Sequence, residues 1–309
     1  MSLPAYGLIE RRLERSFPAG DKAALAVDSF YGPVTVREAP DAKVISVVVI
    51  QTADVASEAD MDRCLKALDL RVEKTRSGAV SVSARFRTFL TWSWKNWPPV
   101  ALAYEIQVPR RCDVQITTGE GAITTGALQG RVVLRSESGP IFSGEVDGSI
   151  KARNRAGPVA ITACTGPVEV TTDTGNITVG RVGGRATLAS AGGLIELQRA
   201  AGEVVVRGDG SDAQVGFVSP IRHPSDISTS GGSVALVLEN SAACTLDVRA
   251  SVFGKVMLRG DLPLAVSSGG AGQSQLKASV NGGGERIHAR AGGGNVLVRG
   301  VVPLPDENH

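Results

Sequence analysis

The chain has 309 residues, and its 33 basic and 31 acidic residues leave a formal net charge of only +2. Because these charges nearly cancel, the protein has no overall electrostatic field that would favour binding to nucleic acid or to an anionic membrane. A hydrophobic content of 42% argues against a disordered chain. With 37 glycines and only 4% aromatic residues, the composition favours short β-strands joined by tight turns.

Hydropathy and cysteine usage exclude further classes. No segment approaches the roughly 20 apolar residues that span a bilayer. Residues 1–17 lack the apolar core and cleavage site of a secretory signal, so we expect a cytoplasmic protein unless a leader was removed from this chain. The cysteines form no CxxC pair and are expected to be buried hydrophobes, which predicts neither a metal site nor a cofactor: Cys64, Cys112, Cys164 and Cys244.

Residues 1–110 are predicted to form an N-terminal coil with an α/β cap. LAVDSFYGPVTV (25–36) places two alternating apolar residues on each side of a glycine turn. Strands are expected at 44–51, 70–75, 79–87 and 100–108. Ser57 is expected to cap a short amphipathic helix, which would cover the exposed edges of an end coil. Its apolar stripe comprises Met61, Cys64, Leu65 and Leu68.

Residues 111–210 carry a repeat with a period of eighteen. Two glycine series mark it: Gly121, Gly139, Gly157, Gly175 and Gly193, then Gly130, Gly148, Gly166, Gly184 and Gly202. Apolar columns keep the same register, such as Ile123, Ile141, Val159, Ile177 and Ile195, or Val132, Ile150, Val168, Ala186 and Val204. Such a period indicates a repeat architecture in which neighbouring units stack.

One eighteen-residue unit cannot fold alone. Ordering its backbone costs about 1–2 kcal/mol per residue, which exceeds the ~2 kcal/mol gained by each of its few inward side chains. Stacking supplies the missing backbone partners, so we predict an all-β parallel β-solenoid. Within one unit, successive apolar positions are separated by 2, 3, 4, 2 and 7 residues. Left-handed solenoids instead place an apolar residue at every sixth position, so this spacing favours a right-handed parallel β-helix with about 18 residues per coil.

A polar column accompanies the glycines at the same period. Its members are Thr118, Ser136, Asn154, Thr172 and Ser190. Short hydroxyl and amide side chains at a corner can form a hydrogen-bonded ladder along the solenoid axis, and this structural role is expected here.

The C-terminal third is less regular. Residues 211–231 are polar and contain proline, which predicts a projecting loop. Residues 232–309 show looser versions of the coil signature and are predicted to continue the solenoid. All these segments are expected to form one continuous domain.

Two stretches resemble a known bacterial family. ALAYEIQVPRRCDVQITTGEGAI (101–123), which leads into the repeat, and GGGERIHARAGGGNVLVRG (282–300) are similar to the "putative adhesin" β-strand-repeat proteins, which are related to auto-transporter adhesin heads. The resemblance extends from about Ala24 to Val301. It implies a bacterial, often envelope-associated β-helix in a family without established catalytic residues.

All three tryptophans of the chain occur in TWSWKNWPP, at Trp92, Trp94 and Trp97. In an extended segment the first two would share one face. Such a cluster can cover the hydrophobic N-terminal end of a solenoid, form a subunit or partner contact, or bind a glycan or lipid. These residues are the candidate contact site, with the end-covering role as the structural alternative.

Other motifs carry little chemistry. Arg-Gly-Asp at 207–209 and 259–261 falls where strands meet glycine turns, and GDGSD (208–212) is a lone copy of a calcium-binding repeat fragment. The outward columns bring no carboxylates together, as a polysaccharide lyase or hydrolase would need. Basic residues at Arg135, Lys151 and Arg153 are expected to be solvated surface charge. No catalytic residue is predicted.

The sequence thus favours a non-enzymatic binding or structural module of the bacterial cell envelope, adhesin-like, with a protein or glycan partner and possible homo-oligomerisation. No nucleic acid and no membrane-spanning segment are expected. Periplasmic or surface localisation requires that a leader was removed. The alternatives are a polysaccharide-active β-helix enzyme (lyase or hydrolase) and a cytoplasmic regulatory scaffold.

Overall fold

The computed structural model describes residues 7–20, 22–39, 43–86 and 100–302. Apart from one short helix, its regular elements are β-strands, and most of them pair in parallel. The all-β class and the parallel pairing predicted from the repeat are therefore confirmed. The chain divides into two compact units, Met1–Val146 and Asp147–His309. No helix in the described ranges is long and apolar enough to cross a membrane.

Within its described residues, the first unit consists of β-strands and one helix. Its elements are β1 (Gly7–Pro18), β2 (Ala23–Tyr31), β3 (Val34–Glu38), β4 (Val44–Val55), α1 (Glu58–Lys66), β5 (Leu68–Lys74), β6 (Val80–Phe86), β7 (Ala101–Val108), β8 (Cys112–Glu120), β9 (Ile123–Thr125) and β10 (Leu128–Ser138). The next strand, β11 (Ile141–Ala156), begins in the first unit and ends in the second.

Two parallel ladders organise this unit, and antiparallel strands end both. β2 lies between β6 and β8, and β8 pairs in parallel with β10. β3 lies between β7 and β9. β5 runs antiparallel to β6, β4 runs antiparallel to β7, and β1 runs antiparallel to β4. The parallel stacking therefore stops at strands of a different direction.

Helix α1 forms where the sequence predicts it. The Ser57 side chain accepts a hydrogen bond from the Asp60 backbone N–H at 3.2 Å, which satisfies one of the free N–H groups of the first turn. Met61 and Cys64 are buried, and the helix packs against β4 and β5. The predicted capping residue Ser57 and the buried positions Met61 and Cys64 are confirmed, whereas Leu65 is half-buried and Leu68 belongs to β5 rather than to the helix.

The second unit continues with strands only, within its described residues. They are β12 (Val159–Cys164), β13 (Val168–Thr174), β14 (Ile177–Val182), β15 (Ala186–Ser190), β16 (Ile195–Ala200), β17 (Val204–Gly208), β18 (Ala213–Phe217), β19 (Ser225–Thr229), β20 (Val234–Glu239), β21 (Cys244–Arg249), β22 (Val256–Arg259), β23 (Leu264–Gly269), β24 (Gln275–Val280), β25 (Arg286–Ala291) and β26 (Val296–Val301).

Residues eighteen positions apart are direct neighbours in the rungs from β12 to β17. Val159 pairs with Ile177, and Ile177 pairs with Ile195. All three side chains are at most 1% exposed. The second column behaves in the same way, since its members Val168, Ala186 and Val204 are register partners and are also at most 1% exposed. The sequence columns are thus interior columns of stacked strands.

Glycine recurs because the corners of successive rungs touch through their backbones. Gly175 has a φ of +134°, and a Cβ atom there would lie 2.2 Å from the carbonyl oxygen of Gly157. A side chain would be strained by the backbone conformation and would also collide with the rung before it.

The polar column is buried, and four of its members bond to backbone carbonyls of their own turn, a pattern that differs from the predicted ladder along the axis. Thr118, Ser136, Thr172 and Ser190 each donate a hydrogen bond to the carbonyl two residues further along the same turn, at 2.6–3.1 Å. This acceptor is the nearest one to a short side chain at a corner, and Ser190 in addition donates to the Gly175 carbonyl of the preceding rung at 3.5 Å. A hydroxyl pair between rungs occurs elsewhere, from Thr125 to Ser143 at 3.1 Å.

The prediction of a projecting loop over 211–231 was wrong for most of that segment. β18 and β19 lie within it and pair in parallel with β16 and β17. β18 keeps the offset of eighteen from β16, as in the pair Ile195 and Ala213. β19 stands 21 residues from its partner, as in the pair Val206 and Ile227, so the eighteen-residue pattern is lost between β18 and β19. Only residues 218–224 connect the two strands without regular structure.

Beyond β20 the strands no longer stack in chain order. β25 lies between β19 and β21, and β26 lies between β20 and β22. β24 then adds antiparallel to β21, and β23 adds antiparallel to β24. Residues from three distant segments are consequently brought side by side on one outer face.

Candidate functional site

The tryptophan cluster predicted as a contact site lies outside the described residues. Trp92, Trp94 and Trp97 all fall in the segment 87–99. Their role as a partner contact stays a prediction, and the candidate site below is built from residues of the second unit.

Outward side chains on one face of the second unit form a continuous column. The strand register places them next to one another in this order: Thr171, Ala189, Arg207, Ser228, Arg290 and Arg249. Small side chains between the arginines leave a surface groove of about 770 Å³. Asp173 and Asp209 stand at the turn side of this groove.

The two arginines of the groove are engaged differently. Arg207 makes a two-pronged ion pair with Asp226 (Nη2–Oδ2 3.0 Å, Nη1–Oδ1 3.1 Å) and also donates to the Ser228 hydroxyl at 3.2 Å. Arg290 is exposed and forms no hydrogen bond or ion pair with any residue of the described ranges. Its guanidinium donors are therefore available to a ligand.

A buried carboxylate lies beside the groove. Asp247 on β21 is only 4% exposed, although it sits at an outward position. Arg286 donates a hydrogen bond to its Oδ2 atom. Lys277 Nζ and His288 Nδ1 each lie 3.9 Å from Oδ2, and Arg249 Nε lies 3.8 Å from Oδ1.

These neighbours keep Asp247 ionised. Burial acts to raise its pKa, but the hydrogen bond from Arg286 and the charges of Lys277, Arg286 and His288 outweigh burial, so the pKa falls below its ordinary value of 3.8. Three permanent cations (Arg249, Lys277 and Arg286) then surround one anion, and the cluster has a net charge of +2 (3 − 1). Such a cluster can bind an anionic group.

The motifs of the loop after β17 have structural partners. In the first Arg-Gly-Asp copy, Arg207 is paired with Asp226 and Asp209 accepts a hydrogen bond from the Ser230 hydroxyl. Asp212 of GDGSD accepts a bond from the Ser233 backbone N–H at 2.7 Å. Across the described ranges, no three His, Cys, Asp or Glu side chains converge to hold a metal.

The cysteines are buried thiols without disulfide partners. Burial, together with the nearby charge of Asp113, raises the pKa of Cys112 to about 12, and burial alone raises that of Cys244 to about 11. Thiols of this kind stay protonated at neutral pH and are poor nucleophiles. This agrees with their interpretation as small core residues.

Sequence reasoning missed the basic cluster. It singled out Arg135, Lys151 and Arg153 instead, and of these Lys151 pairs with Glu169 at 2.7 Å. Asp247 and Arg286 are 39 residues apart. The available signal was the alternation in TLDVR and RIHAR, which places charged residues opposite the apolar ones.

Comparison with known proteins adds names but no closer identification. No family model and no curated protein matches the chain. Solved bacterial structures that it resembles include a "putative adhesin" from Parabacteroides distasonis (11% identity, 94% of this chain, 97% of that chain, TM-score 0.42). A "putative adhesin" from Bacteroides fragilis is 9% identical, with 96% of this chain and 99% of that chain covered and a TM-score of 0.36. A "putative cell adhesion protein" from Clostridium sporogenes is 11% identical, with 94% of this chain and 100% of that chain covered and a TM-score of 0.19.

Proposed function

We propose that this chain is a non-enzymatic, adhesin-like binding module of the bacterial cell envelope. In this proposal its strands wind as a right-handed parallel β-helix of about 18 residues per coil that forms one continuous domain. The eighteen-residue offset between paired strands supports the coil length, and the apolar steps of the sequence support the hand. The observation that carries the binding role is the groove beside Asp247.

The groove suits an extended polar chain. Its floor contains hydroxyl and methyl groups from Thr171, Ala189 and Ser228, and Arg290 supplies unpaired donors. Neighbouring strands repeat every ~4.8 Å, so polar groups are offered at regular intervals along the stack. A glycan or an extended peptide with anionic substituents has the matching chemistry, and a planar guanidinium can bind a carboxylate or sulfate through two bonds.

The experiment is a binding screen with the purified chain on an array of bacterial and host glycans and on isolated envelope fractions. We expect binding to at least one acidic glycan or fraction, and a loss of at least about tenfold in affinity for Arg290→Glu, since one charged contact is worth this much. The matched control is Arg259→Glu, an equally exposed charge reversal on β22 away from the groove.

Binding that neither variant alters would show that the groove is not the contact. Absence of binding to every glycan and fraction would overturn the proposal. Shortened or unsaturated sugar products on the array would favour the polysaccharide-active enzyme. Recovery of the native protein only from the cytoplasmic fraction of its cells would favour the regulatory scaffold.

The tryptophans are proposed as a second contact. A Trp92→Ala/Trp94→Ala double variant that stays folded and loses partner binding would support this role. A variant that unfolds at a lower denaturant concentration while binding normally would favour the end-covering role of the cluster instead.

A further inference from the structure

Two adjacent hydrophobic side chains project from the corner that follows β21. Val252 is 89% exposed and Phe253 is 98% exposed, whereas the valines on either side of them in sequence, Val248 and Val256, are fully buried. We call Val252 and Phe253 the apolar tip. An almost fully exposed aromatic residue beside an exposed valine is unusual, because burying them elsewhere would be favourable.

The tip is held in place by the backbone around it. The Gly254 N–H donates to the Ser251 carbonyl at 3.0 Å, and the Ser251 N–H donates to the Gly294 carbonyl at 3.1 Å. The Lys255 N–H donates to the Asn295 side chain at 2.8 Å. A Cβ atom on Gly254 would lie 2.1 Å from the Gly294 carbonyl oxygen, so the turn lies directly against the next rung. The side chains are therefore presented by a fixed turn.

Cations flank the tip on both sides. Arg249 precedes it and Lys255 follows it, and Arg290 is the register partner of Arg249 on the next strand. The Lys255 and Arg290 side chains have no hydrogen bond or ion pair within the part of the chain that the structure describes. Arg249 forms an ion pair with Asp247 at 3.8 Å. The small net charge of the whole chain thus coexists with a local excess of positive charge.

We propose that the apolar tip docks on an anionic lipid surface, with Val252 and Phe253 in the interfacial region and Arg249, Lys255 and Arg290 at the lipid headgroups. Apolar insertion combined with nearby Lys and Arg residues is the combination that binds peripheral proteins to anionic bilayers. Val252 and Phe253 do not line the groove, although Arg290 belongs to both surfaces, and the proposal does not depend on the groove's ligand.

The shape of the tip favours a lipid over a protein partner. A stable protein interface buries about 800 Å² on each side around an apolar core. Here two side chains protrude, and the residues that follow Phe253 are glycine and a lysine. A protrusion of this size enters a fluid interface without needing a matching pocket.

The test uses vesicles of phosphatidylcholine alone and vesicles that also contain phosphatidylglycerol, with co-sedimentation of the full chain. We expect binding to the anionic vesicles that weakens with added salt. Val252→Ser/Phe253→Ser should reduce the partition coefficient at least about tenfold, and Arg249→Gln/Lys255→Gln should reduce it on anionic vesicles only. The matched control, Val266→Ser on β23, removes a side chain that is 51% exposed and should have no effect.

A site-specific probe separates insertion from adsorption elsewhere. The four native cysteines are buried, so an environment-sensitive dye attached to a Val252→Cys variant reports on the tip alone. We expect a blue shift of its emission with anionic vesicles. Absence of a shift, equal binding by the Val252→Ser/Phe253→Ser variant, or tip-dependent self-association without vesicle binding would each overturn the proposal.

Discussion

The rungs of residues 147–208 and the segment of residues 225–301 belong to the same unit but follow different rules. In the rungs, each strand pairs with the strand eighteen residues away. In the later segment, Ile227 pairs with Ala289 and Val234 pairs with Val296, both 62 residues away. The interior columns remain apolar and buried in both regions, so interior packing is maintained where the repeat is lost.

The outer faces of the two regions differ more than the interiors. In the rungs, two cations each face one carboxylate, Lys151 with Glu169 at 2.7 Å and Arg185 with Glu203 at 3.6 Å, although Arg181 and Arg199 are register partners of like charge. In the later segment, several cations surround the single carboxylate of Asp247. The two regions thus differ in how their carboxylates are engaged: Glu169 and Glu203 each pair with one cation, whereas Asp247 lies near several.

The sharpest test of interior packing is Ile177→Ala in the regular rungs. Ile177 is fully buried between Val159 and Ile195, and its truncation should cost about 2–5 kcal/mol in the free energy of unfolding. The matched control is Thr178→Ala, its outward neighbour, which should cost less than about 1 kcal/mol. Chemical denaturation monitored by circular dichroism measures both losses in the free energy of unfolding. Equal effects would show that the column is not a packed interior.

The second test concerns the corners of the rungs. Gly175→Ala should cost about 2–4 kcal/mol, because its positive φ strains a side chain and its Cβ would meet the Gly157 carbonyl. Gly270, in the later segment, has an ordinary φ, and a Cβ added there would meet no atom within 4 Å, so Gly270→Ala should change stability by less than about 1 kcal/mol. Similar losses in both variants would contradict the close-approach explanation.

The sequence predicts the structure well where the eighteen-residue repeat holds and poorly where it is lost. The buried column that contains Ile177 and the corner glycine Gly175 could be predicted. Every rung needs the same residue types at these positions, so both appear in the sequence as a repeated pattern. β19 was missed because its offset from β17 rises to 21, and β18 was missed although Ala213 still pairs with Ile195, eighteen residues before it. The surroundings of Asp247 carry no period at all, since they depend on β25 lying between β19 and β21. Sequence alone offers no signal for that order.

A third variant, Asp247→Asn, tests the charge cluster. It removes the anion that Arg286 and the neighbouring cations face, and the expected loss is about 1–3 kcal/mol at neutral pH. The pKa of Asp247 is lowered in the folded protein from its ordinary value of 3.8. Its contribution to the free energy of unfolding is therefore fully present above pH 3.8 and is lost as the pH falls through the lower pKa of the folded state.

The difference in stability between wild type and Asp247→Asn should therefore be constant from about pH 7 to about pH 5 and shrink on further acidification. Denaturation at a series of pH values measures it. A difference that grows on acidification would have the wrong sign for a carboxylate with a lowered pKa. A variant more stable than wild type would mean that burying this charge is unfavourable overall.

The smallest effect is expected for the balanced pairs of the rungs. Lys151 and Glu169 are each about half exposed (48% and 50%), so their coupling in a double-mutant cycle of Lys151→Ala and Glu169→Ala should be about 0.2–1 kcal/mol. Added salt should reduce this coupling, because water and ions reach both groups. A coupling that is larger than that and independent of salt would place the pair among the main determinants of rung stacking, and would remove the contrast between the one-to-one pairs of the rungs and the several cations around Asp247.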